Sequence, residues 1–447
     1  MGGLWARPGF VVVVVSTLLL FSPRAFAQDD GALKPGDVLD RHNWRKAEKL
    51  LPPEILKHYE HGEYANPIVD WGPETFTWPK DFLEASKKNE GRYGIGSDGE
   101  VVEVSTGKQP AYVFGFPFPN IDPQDAQAAS KILWNFYYRT WYFGNLRVES
   151  QVNLIAAKGL ERRTDQFVNF LYYDGVPERE RMPNPQNFSL QQLIVVKSPA
   201  DLNGTAALSW RYRDPKQRDN VWSYVPALRR VRAVSPANRS DGFLGSDMSQ
   251  DDGPFFDGKI EDFTWTYKGE TEALRFVDPI NLRGESLERI WQKGGGWRIN
   301  WPDIKTLGYM DKEWKGVAWA PISGALAKRP FYIIEGVPKD KYYLFGRLEL
   351  YVDKETFQGA WNRKFAWSGE LLNSFQVMAF VPRADTRPDG GIDYNQGSTM
   401  AFQCVENIKR NQATAAGIKS TPTAIFDARI PYDPMFFDMN GLTRFGK

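Results

Sequence analysis

Apolar positions fall into three regimes along the chain. From Phe10 to Phe21 they are almost continuous and include the run Val11 to Val15. Up to Trp141 they recur in patches near helical spacing, and beyond Trp141 they alternate with polar residues. Within 37–60, Val38, Leu39, Trp44, Ala47, Leu50 and Leu51 predict a helix, and Pro52-Pro53 interrupts it before a second short helix through Tyr59. Residues 61–121 read as an extended lead-in rich in Pro and Gly. Asp122 as N-cap and Pro123 at the first helical position then predict a helix whose stripe is Ala126, Ala129, Ile132, Leu133 and Phe136. The period of two predicts strands at 147–157, 166–173, 189–197, 205–213, 220–226, 259–268, 330–337, 342–352, 357–367 and 374–381. Asp174-Gly175, Asn203-Gly204 and Asp214-Pro215 punctuate them. Consecutive strands with short links argue for an antiparallel meander, broken by long connections at 233–258 and 282–329.

The first apolar run has the order of an export signal. Arg7 precedes it, Ala25-Phe26-Ala27 follows it, and Gln28-Asp29-Asp30 is polar. The run falls short of the roughly 20 apolar residues that span a bilayer. Three parts follow: a signal peptide over 1–27, N-terminal helices and lead-in over 28–121, and a β-sheet domain with inserted loops over 122–447. The single cysteine, Cys404, leaves no lipid acceptor at position 28 and no intramolecular disulfide, so the fold rests on its own core. Lys and Arg total 56 against 55 for Asp and Glu, which lacks the basic excess of nucleic-acid binding. Aromatic residues reach 14% with 16 Trp, more than a core of this size needs, and point to an amphipathic groove or lined cavity.

Trp-x-Tyr occurs three times, as Trp210-Arg211-Tyr212, Trp222-Ser223-Tyr224 and Trp265-Thr266-Tyr267. Residues i and i+2 of a strand share a face, and Leu208 and Phe263 extend two copies. Trp210, Tyr212, Trp222, Tyr224, Phe263, Trp265 and Tyr267 are therefore candidates for a pocket wall that orients an amphipathic ligand, or for an ordinary core face. Arg229, Arg230 and Arg232 either clamp an anionic head group or pair with Asp247, Asp251, Asp252, Asp257, Glu261 and Asp262. Those acids lack the loop spacing of a calcium site. The three histidines, at 42, 58 and 61, have no evident third ligand for zinc. No G-x-S-x-G or Walker A sequence occurs, and Gly94-Ile95-Gly96-Ser97-Asp98-Gly99 precedes a strand, not the helix that a dinucleotide fingerprint opens. No cofactor and no metal is expected. A secreted hydrolase working through two carboxylates stays open as a minor alternative.

The segment Asn220 to Arg232, with Trp222-Ser223-Tyr224-Val225-Pro226 and Arg229-Arg230-Val231-Arg232, resembles the signature strand of domain-of-unknown-function family 1329. So do Asp252 to Gly258 followed by Trp265-Thr266-Tyr267-Lys268-Gly269-Glu270. Pro117-Phe118-Pro119 and Leu350-Tyr351-Val352-Asp353 with Trp361 fall in matching order. That family is similar to the lipoprotein carriers LolA and LolB. The resemblance implies a mainly β (α+β) fold, a strongly curved antiparallel half-barrel closed by helices, holding acyl chains or another lipid on its inner face. It also implies a periplasmic location and, as partners, an RND transporter and an outer-membrane β-barrel protein. The function expected is that of a carrier for a hydrophobic or lipid-like molecule, with a structural adaptor of such a complex as the rival. The exported form should begin at Gln28 and carry no lipid. N-terminal sequencing checks this, and a blocked terminus or a start well away from Gln28 contradicts it.

Overall fold

The computed structural model describes residues 1–2, 31–71, 78–279, 288–300, 324–380, 384–386, 392–394, 400–418 and 424–445. The expected leader and most of the 282–329 connection lie outside the described residues. All ten strands predicted after Trp141 are present, most with ends moved by a few residues. They belong to a sheet of 18 strands. Its spine is formed by β1 (Leu146–Ala156), β2 (Gly159–Tyr172), β3 (Phe188–Ser198), β4 (Ala206–Tyr212), β5 (Asn220–Val225), β6 (Arg230–Val234), β7 (Phe263–Asp278), β8 (Ala325–Pro338), β9 (Arg347–Asp353), β10 (Gly359–Phe365), β11 (Leu371–Phe380), β12 (Met400–Asn407) and β13 (Gln412–Ile418).

In space the spine runs β6-β5-β4-β3-β2-β1-β13-β12-β11-β10-β9-β8-β7, every neighbour antiparallel. Far from the sequence start, β7 curls back so that Val277 and Asp278 pair in parallel with Ala379 and Phe380 of β11. The result is a strongly curved, mainly antiparallel sheet of half-barrel type with few helices. Register shifts supply much of the bend: at Leu154/Ile155 in β1, Asp165/Gln166 in β2, Tyr267/Gly269 in β7 and Lys364/Phe365 in β10. A bulge inserts a residue into one strand and sharpens its local twist. At the β7 bulge the backbone needs φ +130° at position 269, which glycine adopts without a Cβ clash.

Helices α1 (Pro53–Glu60), α2 (Lys80–Lys88), α3 (Ala128–Trp141) and α4 (Met439–Phe445) accompany the sheet. α1 is pinned across β10 to β12. The Glu54 carboxylate accepts from Arg363 Nε at 2.9 Å and Nη2 at 3.0 Å and from Ser374 Oγ at 3.0 Å. His58 Nε2 lies 3.1 Å from Glu406 Oε2. Burial works against an imidazolium there, but the hydrogen bonds and charges of Glu406 and Glu63 outweigh it and raise the His58 pKa. α3 buries Ala129, Ile132, Leu133 and Phe136 of the predicted stripe and also Tyr137, Tyr138 and Trp141, whereas Ala126, the first residue of that stripe, is exposed ahead of the helix.

Three expectations for the N-terminal part are corrected. Val38–Leu39 is a short strand paired with Asn66 and Pro67, so the helical reading of 37–60 holds only for the turn Trp44–Ala47 and for α1. α3 begins at Ala128, not after Asp122. The Asp122 and Asp125 carboxylates instead accept from the backbone of Gln124 and Gln127 at 2.9 and 2.8 Å, local turns that compete with helix. The lead-in contains α2, whose sequence gives little period because Leu83 is exposed and only Phe82 and Ser86 are buried. Among the described residues no helix is long and apolar enough to cross a membrane.

Candidate ligand-binding cavity

The first three spine strands use both faces. On β3, Leu193 and Val195 are buried on one side, while Gln192 and Ile194 stay half-exposed on the other. The register aligns Leu146 with Phe170 and Phe170 with Gln192, and Val148 with Val168 and Val168 with Ile194. These residues line a cavity of about 200 Å3. Val152, Ser150 and Gln166 continue its floor, and Ala416, Gly417 and Gln403 extend it onto β12 and β13. Thr140 and Phe143 reach it from the end of α3, and Phe426 from a short strand beside β1. Its other wall is the non-sheet segment carrying Phe243, Ser246, Met248, Ser249, Gln250, Gly253 and Pro254. Large apolar side chains left half-exposed in a concavity with a few polar groups are the usual make-up of a small-molecule site.

That segment is held over the sheet by buried charges. Arg239 Nε donates to Asp251 at 2.7 Å, and its other nitrogens lie 3.3 Å from Asp219 and 3.5 Å from Asp257. Arg211, from the first Trp-x-Tyr copy, donates to Asp219 at 2.9 Å and to Asp257 at 3.0 Å. Tyr343 OH donates to Asp251 at 2.9 Å, and Lys364 Nζ pairs with Asp252. Asp247 accepts from Asn407 at 2.8 Å and Gln412 at 2.9 Å. Burial opposes ionisation of Asp219, but the charges of Arg211 and Arg239 outweigh it and hold this carboxyl below the usual range. Burial pushes Glu261 beside the network up to about 7. Four of the acids named as partners for Arg229, Arg230 and Arg232 are thus taken by other side chains. Arg229, Arg230 and Arg232 are exposed on and before β6, and no ion pair among the described residues engages them. No group of three or more His, Cys, Asp or Glu among the described residues could hold a metal ion.

The three Trp-x-Tyr copies occupy two separate clusters. Trp210, Tyr212, Trp222 and Tyr224 join Leu171, Leu193, Phe188, Phe437 and Leu442. The rings of Trp210 and Trp222 are 4.8 Å apart, and Trp210 Nε1 donates to the Phe437 carbonyl at 2.8 Å. On β3 this cluster uses Leu193, and the cavity uses Gln192 and Ile194, so the two lie on opposite faces of the sheet. Phe263 and Trp265 pack against Phe256 in the main core, with Tyr267 at its margin beside Tyr332. None of the seven lines the 200 Å3 cavity. The cavity residues had a readable signal, the even-numbered positions of the first two predicted strands. Nothing in one strand's pattern says which of two apolar faces another segment will seal.

Arg239→Ala leaves Asp251 and Asp219 buried without one of their partners. Unfolding in urea should show a loss of about 3–5 kcal/mol, the cost of breaking a buried pair from one side. A change near zero would mean that the segment is held mainly by its apolar contacts.

No curated protein matches the sequence. A DUF1329 family protein from Desulfovibrio piger shares 16% identity over 72% of this chain and 99% of its own, with a TM-score of 0.46. A LolA superfamily protein from Nitrosomonas europaea shares 12% over 70% of this chain and 98% of its own, with a TM-score of 0.39. The model of the family described as "Protein of unknown function (DUF1329)" matches residues 38–427, most of the sequence. The chain therefore belongs to the DUF1329 family.

Proposed function

We propose that the chain is a periplasmic carrier that binds a hydrophobic or lipid-like molecule in the cavity between β1–β3 and the 243–254 segment. One observation carries this reading: Leu146, Val148, Val168, Phe170 and Ile194 present a half-exposed apolar surface to an open volume, although on β2 and β3 the opposite face is packed through Leu171, Leu193 and Val195. Covering such surface with ligand contributes about 25 cal/mol per Å2 of apolar area before ordering costs. The reading asks for no catalytic step and no cofactor.

The adaptor reading draws support from β6. This strand pairs only with β5 among the described residues, and Arg230 and Arg232 are exposed on it. A free edge with positive side chains suits docking to a partner, for which an RND transporter and an outer-membrane β-barrel protein are the proposed candidates. The two readings are compatible: a carrier must hand over its cargo. Arg229, Arg230 and Arg232 would then serve the partner or a membrane surface, not the cavity.

Native mass spectrometry of protein taken from its own cell envelope, followed by solvent extraction, should reveal an adduct of lipid-like mass. Val168→Arg places a charge on the cavity floor and should weaken binding of the neutral fluorophore N-phenyl-1-naphthylamine at least tenfold. Trp222→Ala, across the sheet, should lower stability by about 1–3 kcal/mol and leave that binding unchanged. Loss of binding in Trp222→Ala with none in Val168→Arg would place the ligand at the aromatic cluster.

A further inference from the structure

The cavity has a chemical direction. Two cross-strand rungs, Leu146 opposite Phe170 and Val148 opposite Val168, form an apolar end, to which Phe426 adds a ring. The next rung of the same face, Ser150 opposite Gln166, is polar. Ala416 pairs with both Val152 and Gln403, which sets Gln403 beside that polar end. From Leu146 to Ser150 the strand advances about 14 Å at 3.4 Å per residue, the scale of a medium alkyl chain.

The polar end contains unused hydrogen-bonding capacity. Gln166 is 7% exposed and Gln403 is 6% exposed, and the Oε1 of each is buried with no hydrogen-bond partner. An unsatisfied buried acceptor is destabilising, so each is a place where a donor from outside is strongly favoured. Among the described residues that line the cavity none is Asp, Glu, Lys, Arg or His, in a chain that is 25% charged. An ionised head group would lose its hydration there without meeting an opposite charge. One basic side chain, Arg162, belongs to an adjoining recess of about 20 Å3 that shares Val152, Gln166, Phe243 and Ser246 with the cavity. Arg162 is half-exposed, and its Nη2 already donates to the Leu244 carbonyl.

We propose that the cargo is an uncharged amphiphile whose hydroxyl or amide N–H donates to the side-chain oxygen of Gln166 or of Gln403, with its apolar body along Leu146, Val148, Val168 and Phe170. A hydroxyl suits a pair of amides, because it can donate its one proton to the oxygen of one and accept from the NH2 group of the other. This inference rests on the carrier reading and narrows it to neutral ligands, setting fatty-acid anions and anionic phospholipids aside.

The test is displacement of N-phenyl-1-naphthylamine from the full exported chain at pH 8 by 1-dodecanol, dodecyl methyl ether and dodecanoate. The alcohol should displace the probe at concentrations at least tenfold lower than either the ether, which has no donor, or the carboxylate, which is ionised. In the double variant Gln166→Leu/Gln403→Leu the probe should still bind, showing a folded cavity, and the advantage of the alcohol over the ether should vanish. Dodecanoate displacing as well as the alcohol would overturn the inference while leaving the carrier reading intact, and loss of that displacement in Arg162→Ala would assign the head group to Arg162. Failure of the probe and of all three compounds to bind would overturn the carrier reading itself.

Discussion

The cavity depends on a set of buried ion pairs that hold a strandless stretch of chain across the inner face of the sheet. Arg211 and Arg239 gather Asp219, Asp251 and Asp257, and Lys364 takes Asp252. Between these anchors lie Phe243, Ser246, Met248 and Gln250, which form the wall opposite the strands. Apolar residues alone would favour collapse of that wall onto Val168 and Phe170. Charged anchors fix the wall at points beside the open volume, because each ion must stay with its partners once it has left water. The cost of desolvating them is high, so the arrangement is tolerated only as a complete network in which every guanidinium meets carboxylates.

The sheet supplies the other half of the device. Strands β2 and β3 bury apolar side chains on both faces, and a different segment addresses each. Phe437 and Leu442 at the C-terminus close the outer face over Trp210 and Trp222, with a hydrogen bond from the indole to the Phe437 carbonyl. The inner face meets the ion-anchored segment and stays partly open. The aromatic richness of the chain thus goes chiefly into sealing: into the outer cluster, and into the core packing of Phe255, Phe256, Phe263 and Trp265. The cavity itself has no Trp among its described lining residues, and its apolar wall comes from Val, Leu, Ile and Phe positions interspersed with Ser, Thr and Gln.

Much of this was legible in the sequence. Period-two alternation located ten strands and the meander, because strands with one buried or lined face advertise it. β12 and β13 were missed. Gln412-Ala413-Thr414-Ala415-Ala416-Gly417 has small residues where strands usually carry branched ones, and Ala413 and Ala415 are buried all the same. β6 gives no strand signal, because its arginines read as a charge cluster. The Trp-x-Tyr spacing identified shared faces within each copy, but sheet curvature and chain tracing decide which faces meet, and these are set by contacts distant in sequence. The acids of 247–262 were seen as a cluster. Their partners at Arg211, Arg239 and Lys364 could be known only once the segment folded back over the sheet.

The central claim is that hydrophobic cargo occupies the inner cavity. The most direct measurement is the anomalous scattering of a crystal grown with 12-bromododecan-1-ol, in which the bromine marks the far end of the tail. The account places that signal at the apolar end, among Phe143, Phe170 and Phe426, with the hydroxyl toward Gln166 and Gln403. A bromine site beside Trp210 and Trp222 on the outer face, or none on the protein, would contradict it.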